Sequence, residues 1–440
     1  MRRDLATGVT MEAPRSAEPR AETTQLRPAG VRRANRPVSL AVLWQNEHFP
    51  DVLLGGGGAV NTRYICRAMS TLGHRPVILA KGLRSTRVGD EIVDGVPVIR
   101  FAQPSPPPGL WPVWPLLLAH ALRAPLAELA SQFDLFCAVD APYALALKRV
   151  FPQRPLLYRV EGLPSQRPWA SGTSRGTTHA MLRALELCDH VAERLAWRRA
   201  DAIVVKSSFM FRALTGRYHV PAAKVAVIPN GVDFERFARA EIQRDLLTRF
   251  GRRGEAPVVI AFSGRLVPMK NVSALLEAFA LMRRRTDAVL LVVGDGDQRR
   301  ALEDQARRLS VAERCIFTGL VERIEATLAR GDIFVLPSTY EPFSNALVEA
   351  MAAGLAPVAF RPDERRIRTA SAEILRDGET GLLVEPPDPH ALARALDHLV
   401  QNADLRRRLG RQAQEDCRRR FSWEGCAARY LELAAEVRER

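Results

Sequence analysis

Short apolar runs recur along the chain, bounded by Gly, Pro, Asp or Asn, with longer stretches of helical spacing between most of them. In the first half, Val38–Trp44, Val77–Ala80, Val96–Phe101, Leu135–Val139, Leu156–Val160, Ala202–Val205 and Val225–Ile228 read as strands. Gly55–Gly58 precedes a helical stretch over 59–72, so the fold opens as a βαβ unit. A second alternation runs through Val258–Phe262, Ala288–Val293, Cys315–Thr318, Ile333–Leu336 and Pro357–Phe360, and closes with helices after Pro389. The pattern predicts an α/β protein of two doubly wound, Rossmann-like domains. Residues 1–37 lack periodicity and read as a disordered tail. An N-terminal domain over 38–236 follows, with a turn signal at Pro229–Asp233, then a linker over 237–256 containing Gly251-Arg-Arg-Gly254. A second domain spans 257–420, and a last helix spans 421–440.

Length agrees with two cores, since 440 residues exceed what one usually serves. The six cysteines, at 66, 137, 188, 315, 417 and 426, form no C-x-x-C pair and no zinc spacing. Packed, reduced thiols are expected, and with them a cytoplasmic location. No apolar segment follows the N-terminal arginines and no run of 18 apolar residues occurs, so neither a signal peptide nor a spanning helix is expected. A formal charge of +15 raises nucleic acid as a partner. The arginines are spread along helices rather than gathered with aromatics, which argues against that class and for small anions or an anionic lipid surface. Gly109–Leu118 joins Trp111 and Trp114 to aliphatics; it reads either as an interfacial element or as a core helix with a Pro-rich entry.

Candidate chemistry concentrates in the second half. Pro337–Gly354 sets Glu341 on a loop after an apolar strand and Glu349 inside the following helix, with Ser344 and Asn345 at its start. The backbone N–H groups there, at Asn345 and Ala346, suit a phosphate, and a carboxylate on each side suits sugar hydroxyls. The alternative is a capping box of Ser338 and Glu341 with Glu349 solvated. Ser263–Asn271 places Arg265 and Lys270 at another strand end, as a diphosphate clamp or as plain surface cations. Asp295 and Asp297 imitate an Asp-x-Asp metal site without a third ligand, so no metal is expected. Gly55–Gly58 fits neither the Walker nor the dinucleotide fingerprint.

Glu341-x7-Glu349, Gly264-Arg-Leu266 with Lys270, Gly294-Asp-Gly296 and Asp377-Gly-Glu-Thr-Gly381 occur in an order and context that resemble the retaining glycosyltransferases of the GT-B fold, family 4-like, over about 38–435. The resemblance implies two Rossmann-like domains facing a central cleft, with the last helix crossing back to the first. It implies that Arg265 and Lys270 bind the pyrophosphate of a UDP- or GDP-linked sugar, Glu349 the ribose and Glu341 the transferred sugar. It sets Ser344, Asn345 and Ala346 at the donor, Gly57 and Gly58 where backbone approaches donor phosphate, and Asn61 and Arg63 near the acceptor. No cofactor is implied. The acceptor would be a glycan or lipid-linked, in envelope or exopolysaccharide synthesis, with peripheral contact at the inner membrane and no nucleic acid.

Two departures stand out. Glu161 occupies the position where many relatives carry His, as a transition-state stabiliser, an aid to deprotonation or a noncatalytic replacement; Asp140 is a second cleft-side carboxylate. Arg361–Arg368 replaces a Gly-Gly segment. Rival readings are a GT-B epimerase or sugar synthase, and an inactive scaffold.

Overall fold

The computed structural model describes residues 37–44, 52–82, 88–102, 114–163, 177–241, 257–283, 288–363 and 365–440. The expected tail, most of the linker and Trp111 lie outside them.

The first half contains β1 (Ser39–Trp44), α1 (Val52–Thr71), β2 (Arg75–Gly82), β3 (Val88–Val93), β4 (Val96–Ala102), α2 (Trp114–Ala130), β5 (Leu135–Ala138), α3 (Ala141–Val150), β6 (Leu156–Arg159), α4 (Thr177–Arg199), β7 (Ala202–Val205), α5 (Ser208–Arg212), β8 (Val225–Val227) and α6 (Phe234–Ala238). Its eight strands form one sheet in the order β3-β4-β2-β1-β5-β6-β7-β8, parallel except for β3. Both faces are buried, which is why the strands read as unbroken apolar runs. Ala41, Leu79, Phe136, Tyr158 and Ile203 pack under α2, α3 and α4. Their neighbours Val42, Ile78, Cys137, Leu157 and Val204 pack the other way.

The second half contains β9 (Val258–Ser263), α7 (Val272–Leu281), β10 (Ala288–Val293), α8 (Arg299–Arg308), β11 (Cys315–Gly319), α9 (Ile324–Leu328), β12 (Ile333–Leu336), β13 (Tyr340–Glu341), α10 (Asn345–Ala352), β14 (Ala356–Phe360), β15 (Arg368–Thr369), α11 (Ser371–Ile374), β16 (Leu382–Val384), α12 (Pro389–Gln401), α13 (Ala403–Arg420) and α14 (Trp423–Glu439). A parallel sheet runs β11-β10-β9-β12-β14-β16, and β13 pairs with β15 beside it. Ile260, Phe262, Leu290 and Val335 face α7 and α12, while Ala261, Phe334 and Leu336 face α10 and α13.

The chain passes between the halves twice, side by side. Val232 N–H donates to Phe421 O at 2.9 Å. A Cβ on Gly231 would lie 2.4 Å from the Trp423 nitrogen, so only glycine fits that crossing. Beyond it α14 covers the first sheet: Trp423, Ala427 and Tyr430 share a core with Val42, Met69 and Cys137. Trp423 stacks on Tyr64 of α1 at 5.4 Å.

Two expectations are corrected. The helix expected over 59–72, after Gly55–Gly58, begins at Val52 and takes in Gly57 and Gly58. The edge strand β3 was not expected, because Val88-Gly-Asp-Glu-Ile-Val93 has little strand propensity. It is held by antiparallel pairing to β4 across Asp94-Gly95, whose positive φ values of 50° and 78° make a tight hairpin turn. All six cysteines are free thiols.

Candidate functional site

The carboxyl ends of β9, β10 and β12 carry the motif residues of the second half. The loop after β9 is templated by the turn after β10. Gly264 N–H donates to Val293 O at 3.0 Å, and Leu266 N–H to Asp295 O at 2.8 Å. A Cβ on Gly294 would lie 2.0 Å from Gly264 O, and one on Gly296 2.5 Å from Leu266 O. The Gly294-Asp-Gly296 turn therefore shapes the Arg265 loop by close backbone contact. The Asp295 carboxylate accepts the Gly296 N–H at 2.7 Å and Arg299 at 2.8 Å, and these bonds hold its pKa below the ordinary range. Among the described residues no cluster of three or more metal-ligating side chains occurs.

Arg265 is exposed. Lys270 ends a short turn, Pro268–Lys270, and pairs with the Glu341 carboxylate. Thr339 N–H donates to Met269 O at 2.9 Å, which ties this loop to the start of β13. Ser344 caps α10, its hydroxyl accepting from Leu347 N–H at 3.2 Å. The Ser338–Glu341 capping box does not form: Glu341 is turned to Lys270, and the buried Ser338 hydroxyl has no partner among the described residues. No described residue accepts from the N–H groups of Asn345 or Ala346, which begin the helix. Asn345 joins the two halves through its side chain, donating to Asn61 Oδ1 at 2.7 Å and accepting from Asn230 at 2.9 Å.

Glu349 sits one turn further along α10, and its carboxylate has no hydrogen-bond partner among the described residues. Burial pushes its carboxyl up to about 7, against the attraction of Arg236 and with the repulsion of Glu325. Arg236 itself donates to Glu325 at 2.7 Å and to Tyr64 Oη at 3.0 Å.

The first sheet presents a second charged cluster at its carboxyl ends. Glu161, just past β6, pairs with Lys206 and lies 2.7 Å from Arg159 Nε, close in distance though poorly aligned for a hydrogen bond. Arg159 donates to Thr62 Oγ1 at 2.5 Å and to Gly58 O at 3.4 Å, which ties it to the middle of α1. Burial opposes ionisation of Glu161, yet the charges of Lys206 and Arg159, with the Lys206 hydrogen bond, outweigh it and pull the carboxyl down to about 2. A carboxylate clamped in this way is a poor proton acceptor, so the geometry favours an electrostatic role over deprotonation. Asp140 caps α3, accepting from Tyr143 N–H at 3.1 Å. Arg63 is paired with Asp94 on the β3–β4 turn.

Further contacts hold the sheet ends against each other. Ser207 Oγ donates to Pro342 O at 2.7 Å, and Leu163 N–H donates to Tyr340 Oη at 3.2 Å. Glu373 accepts the N–H groups of Ser208 and Phe209, each at 2.6 Å. Sequence reasoning missed Arg159, Lys206, Asn230 and Arg236. Lys206 follows directly on a fully apolar strand, a signal that would have found it.

Two doubly wound sheets, with charged residues at the carboxyl ends of their strands and cross-contacts between those ends, define the GT-B class of glycosyltransferase. The model of Glycosyltransferase Family 4 matches residues 55–236 and that of Glycosyl transferases group 1 matches residues 244–416. The chain belongs to this family of GT-B, family 4-like glycosyltransferases and is such an enzyme. It is 29% identical over 427 residues to a glycogen synthase of Mycobacterium tuberculosis, covering 91% of this chain and 95% of that one. It is 31% identical over 262 residues to a GDP-mannose-dependent alpha-(1-6)-phosphatidylinositol monomannoside mannosyltransferase of Mycolicibacterium smegmatis, covering 56% and 66%. The fold matches a sucrose-phosphate synthase from Thermosynechococcus elongatus with a TM-score of 0.72 at 21% identity, over 91% of this chain and 99% of that one. It also matches Anabaena HepE in complex with UDP-glucose, with a TM-score of 0.67 at 20% identity, over 90% and 99%.

Proposed function

We propose that the enzyme is a retaining, metal-independent hexosyltransferase that takes its sugar from a nucleotide diphosphate. The observation that carries this reading is that Lys270, on the loop that also carries Arg265, pairs with Glu341 just before the Ser344 cap of α10, with Glu349 one turn into that helix. The diphosphate lies against Arg265, Lys270 and the N–H groups at the start of α10, where cations and helix dipole oppose its charge. Glu349 accepts the ribose hydroxyls, and Glu341 accepts from the transferred sugar as Lys270 turns to phosphate. HepE's complex with UDP-glucose and the GDP-mannose dependence of the mannosyltransferase support a nucleotide-sugar donor.

In the transfer, the bond from the sugar C1 to the phosphate oxygen breaks as the acceptor oxygen bonds C1 on the same face, and the acceptor proton passes to the leaving phosphate. No strong protein base is needed. Lys270 and Arg265 supply the positive charge the departing diphosphate requires.

The acceptor is a glycan or a lipid-linked glycan made at the cytoplasmic face of the inner membrane. Leu116 and Leu117 of α2, and Leu187, Val191 and Leu195 of α4, are exposed apolar side chains on the first half that support peripheral contact. No helix among the described residues is long and apolar enough to cross a membrane.

A thermal-shift screen against UDP, GDP, ADP and their sugar conjugates, with and without EDTA, tests the donor site. Stabilisation by one nucleotide class that EDTA leaves unchanged is expected, and its loss in Glu349→Ala. Full turnover by Glu349→Ala would remove this mechanism. Product analysis separates transfer from the epimerase and synthase alternatives.

A further inference from the structure

The loop that departs from the family pattern, Arg361–Arg368, borders a cavity of about 340 Å³ that no part of the donor site uses. Its walls come from both halves of the molecule: Phe209 and Arg212 of α5 on one side, and Arg361, Ile367, Arg368 and Thr369 on the other. Three arginines therefore line one space. Glu373 is the carboxylate among the lining residues, and both of its oxygens are turned to the N–H groups of Ser208 and Phe209 at 2.6 Å. Arg361 is held from outside the cavity by Asp377 at 2.5 Å and Glu385 at 3.3 Å. Arg368 stands over the Tyr340 ring, 5.9 Å from its centroid.

The loop is built to keep this shape. Asp363 Oδ1 accepts three successive N–H groups, from Arg365, Arg366 and Ile367, at 3.0, 2.7 and 2.7 Å. Ile367 is fully buried as a result. A floor of Ile367 and Thr369 with the Phe209 ring at the side is more apolar than a bare inorganic ion needs, and the volume falls within the range of small-molecule sites, about 300–1,000 Å³. The position is informative as well. In the pairing of β13 with β15, Thr369 stands opposite Glu341 and Arg368 opposite Tyr340. A ligand in the cavity thus lies one strand pairing from the carboxylate assigned to the transferred sugar.

From these observations we infer that the cavity binds a phosphate group carried by the acceptor, clasped by Arg212 from the first half and by Arg368 and Arg361 from the second. This deepens the proposed function, on which it rests for the word acceptor; the phosphate site itself rests on the cavity. A phosphate there is bonded from both halves, so its binding also favours their approach. The phosphate is that of a soluble sugar phosphate or of a lipid headgroup, and the chemistry of recognition is the same for both.

The test uses the full chain and glycerol 3-phosphate, titrated calorimetrically at constant ionic strength with the donor site saturated by its nucleotide diphosphate. Wild type is expected to bind, and Arg212→Gln with Arg368→Gln to weaken binding at least tenfold, while nucleotide affinity changes less than twofold. Arg212→Gln alone, an exposed change on a short helix, gives a variant whose folding is not in question. No binding by wild type, or equal binding by wild type and variants, would overturn the site. Should no nucleotide bind, the donor reading fails, and the same titration without nucleotide still reads the arginine cavity. Sedimentation with phosphatidic acid vesicles against phosphatidylcholine vesicles separates the sources. Arginine-dependent capture by the former assigns a lipid headgroup, and glycerol 3-phosphate binding without vesicle capture assigns a soluble phosphate.

Discussion

Each half of the molecule carries, beyond a strand of its sheet, a glutamate held by a lysine, Glu161 by Lys206 and Glu341 by Lys270, and the two pairs are built differently. Lys206 and Arg159 are almost wholly buried, at 9% and 2% side-chain exposure, and Arg159 is further engaged by Thr62 and Gly58. Lys270 and Glu341 keep 18% and 13% exposure, against 28% for Glu161, and no third charged side chain pairs with either among the described residues. A carboxylate between two buried cations is costly to remove, whereas a simple pair exchanges its partner for a ligand at little cost. The first cluster is suited to hold a field and a shape, and the second to meet a substrate.

The sharpest test of that contrast is Lys270→Ala. It should lower turnover by about two to three orders of magnitude, the usual effect of removing one preorganised charge at a developing oxyanion. The unfolding midpoint should move little, since only a partly solvated pair is lost. A large loss of stability with intact turnover in the folded fraction would reverse the assignment of the two clusters.

Glu161→Gln should show the opposite balance. It leaves Lys206 and Arg159 buried without a counter-charge and should cost about 3 kcal/mol of stability, read as a lower urea midpoint at unchanged slope. Acid behaviour follows from the same pair. The Glu161 pKa is lowered from about 4.5 to about 2 on folding, so its contribution is present above about 4.5 and is lost as pH falls towards about 2. Below pH 4.5 the stability difference between wild type and Glu161→Gln should therefore shrink.

Glu349 titrates in the opposite sense. Its pKa is raised from about 4.5 to about 7, so the protonated form is favoured on folding and that preference is lost as pH rises through this window. Glu349→Gln should therefore stabilise the protein at pH 8, by about 1 kcal/mol, while weakening nucleotide binding. Hydroxyl donors favour the carboxylate, so nucleotide binding near pH 7 should release part of a proton. Calorimetry in buffers of different ionisation enthalpy measures it, and a buffer-independent heat would exclude Glu349 from the ribose site.

The smallest expected effect is at the joint between halves. Asn345→Ala removes side-chain bonds to Asn61 and Asn230 and should cost about 1 kcal/mol. Small-angle scattering should show a more open average shape at unchanged secondary structure.

Much of the scaffold was legible because a strand buried on both faces must be apolar at every position. Runs such as Ile333–Leu336 and Ala288–Val293 announce themselves by that requirement, and all ten of their residues are buried. Ser344 was legible as a cap because its bond to Leu347 N–H is local. The dipeptide strands β13 and β15 were not, because a pairing between Tyr340–Glu341 and Arg368–Thr369 depends on partners 28 positions apart. Likewise the glycines of α1 suggested a loop by propensity, and the helix takes them in.

For the site, local order in the chain determined that Arg265, Lys270 and Glu341 lie after strands and Glu349 in the helix that follows, since each comes after an apolar run and a turn signal. Sequence could not determine which charges would meet. That Lys270 takes Glu341, that Lys206 and Arg159 clamp Glu161, and that Arg212 comes to share a cavity with Arg361 and Arg368 was decided by tertiary structure. The reason is physical. Strand and helix formation are set by the periodicity of neighbouring residues, whereas charge pairing and pKa depend on burial and on distances between segments far apart in the chain.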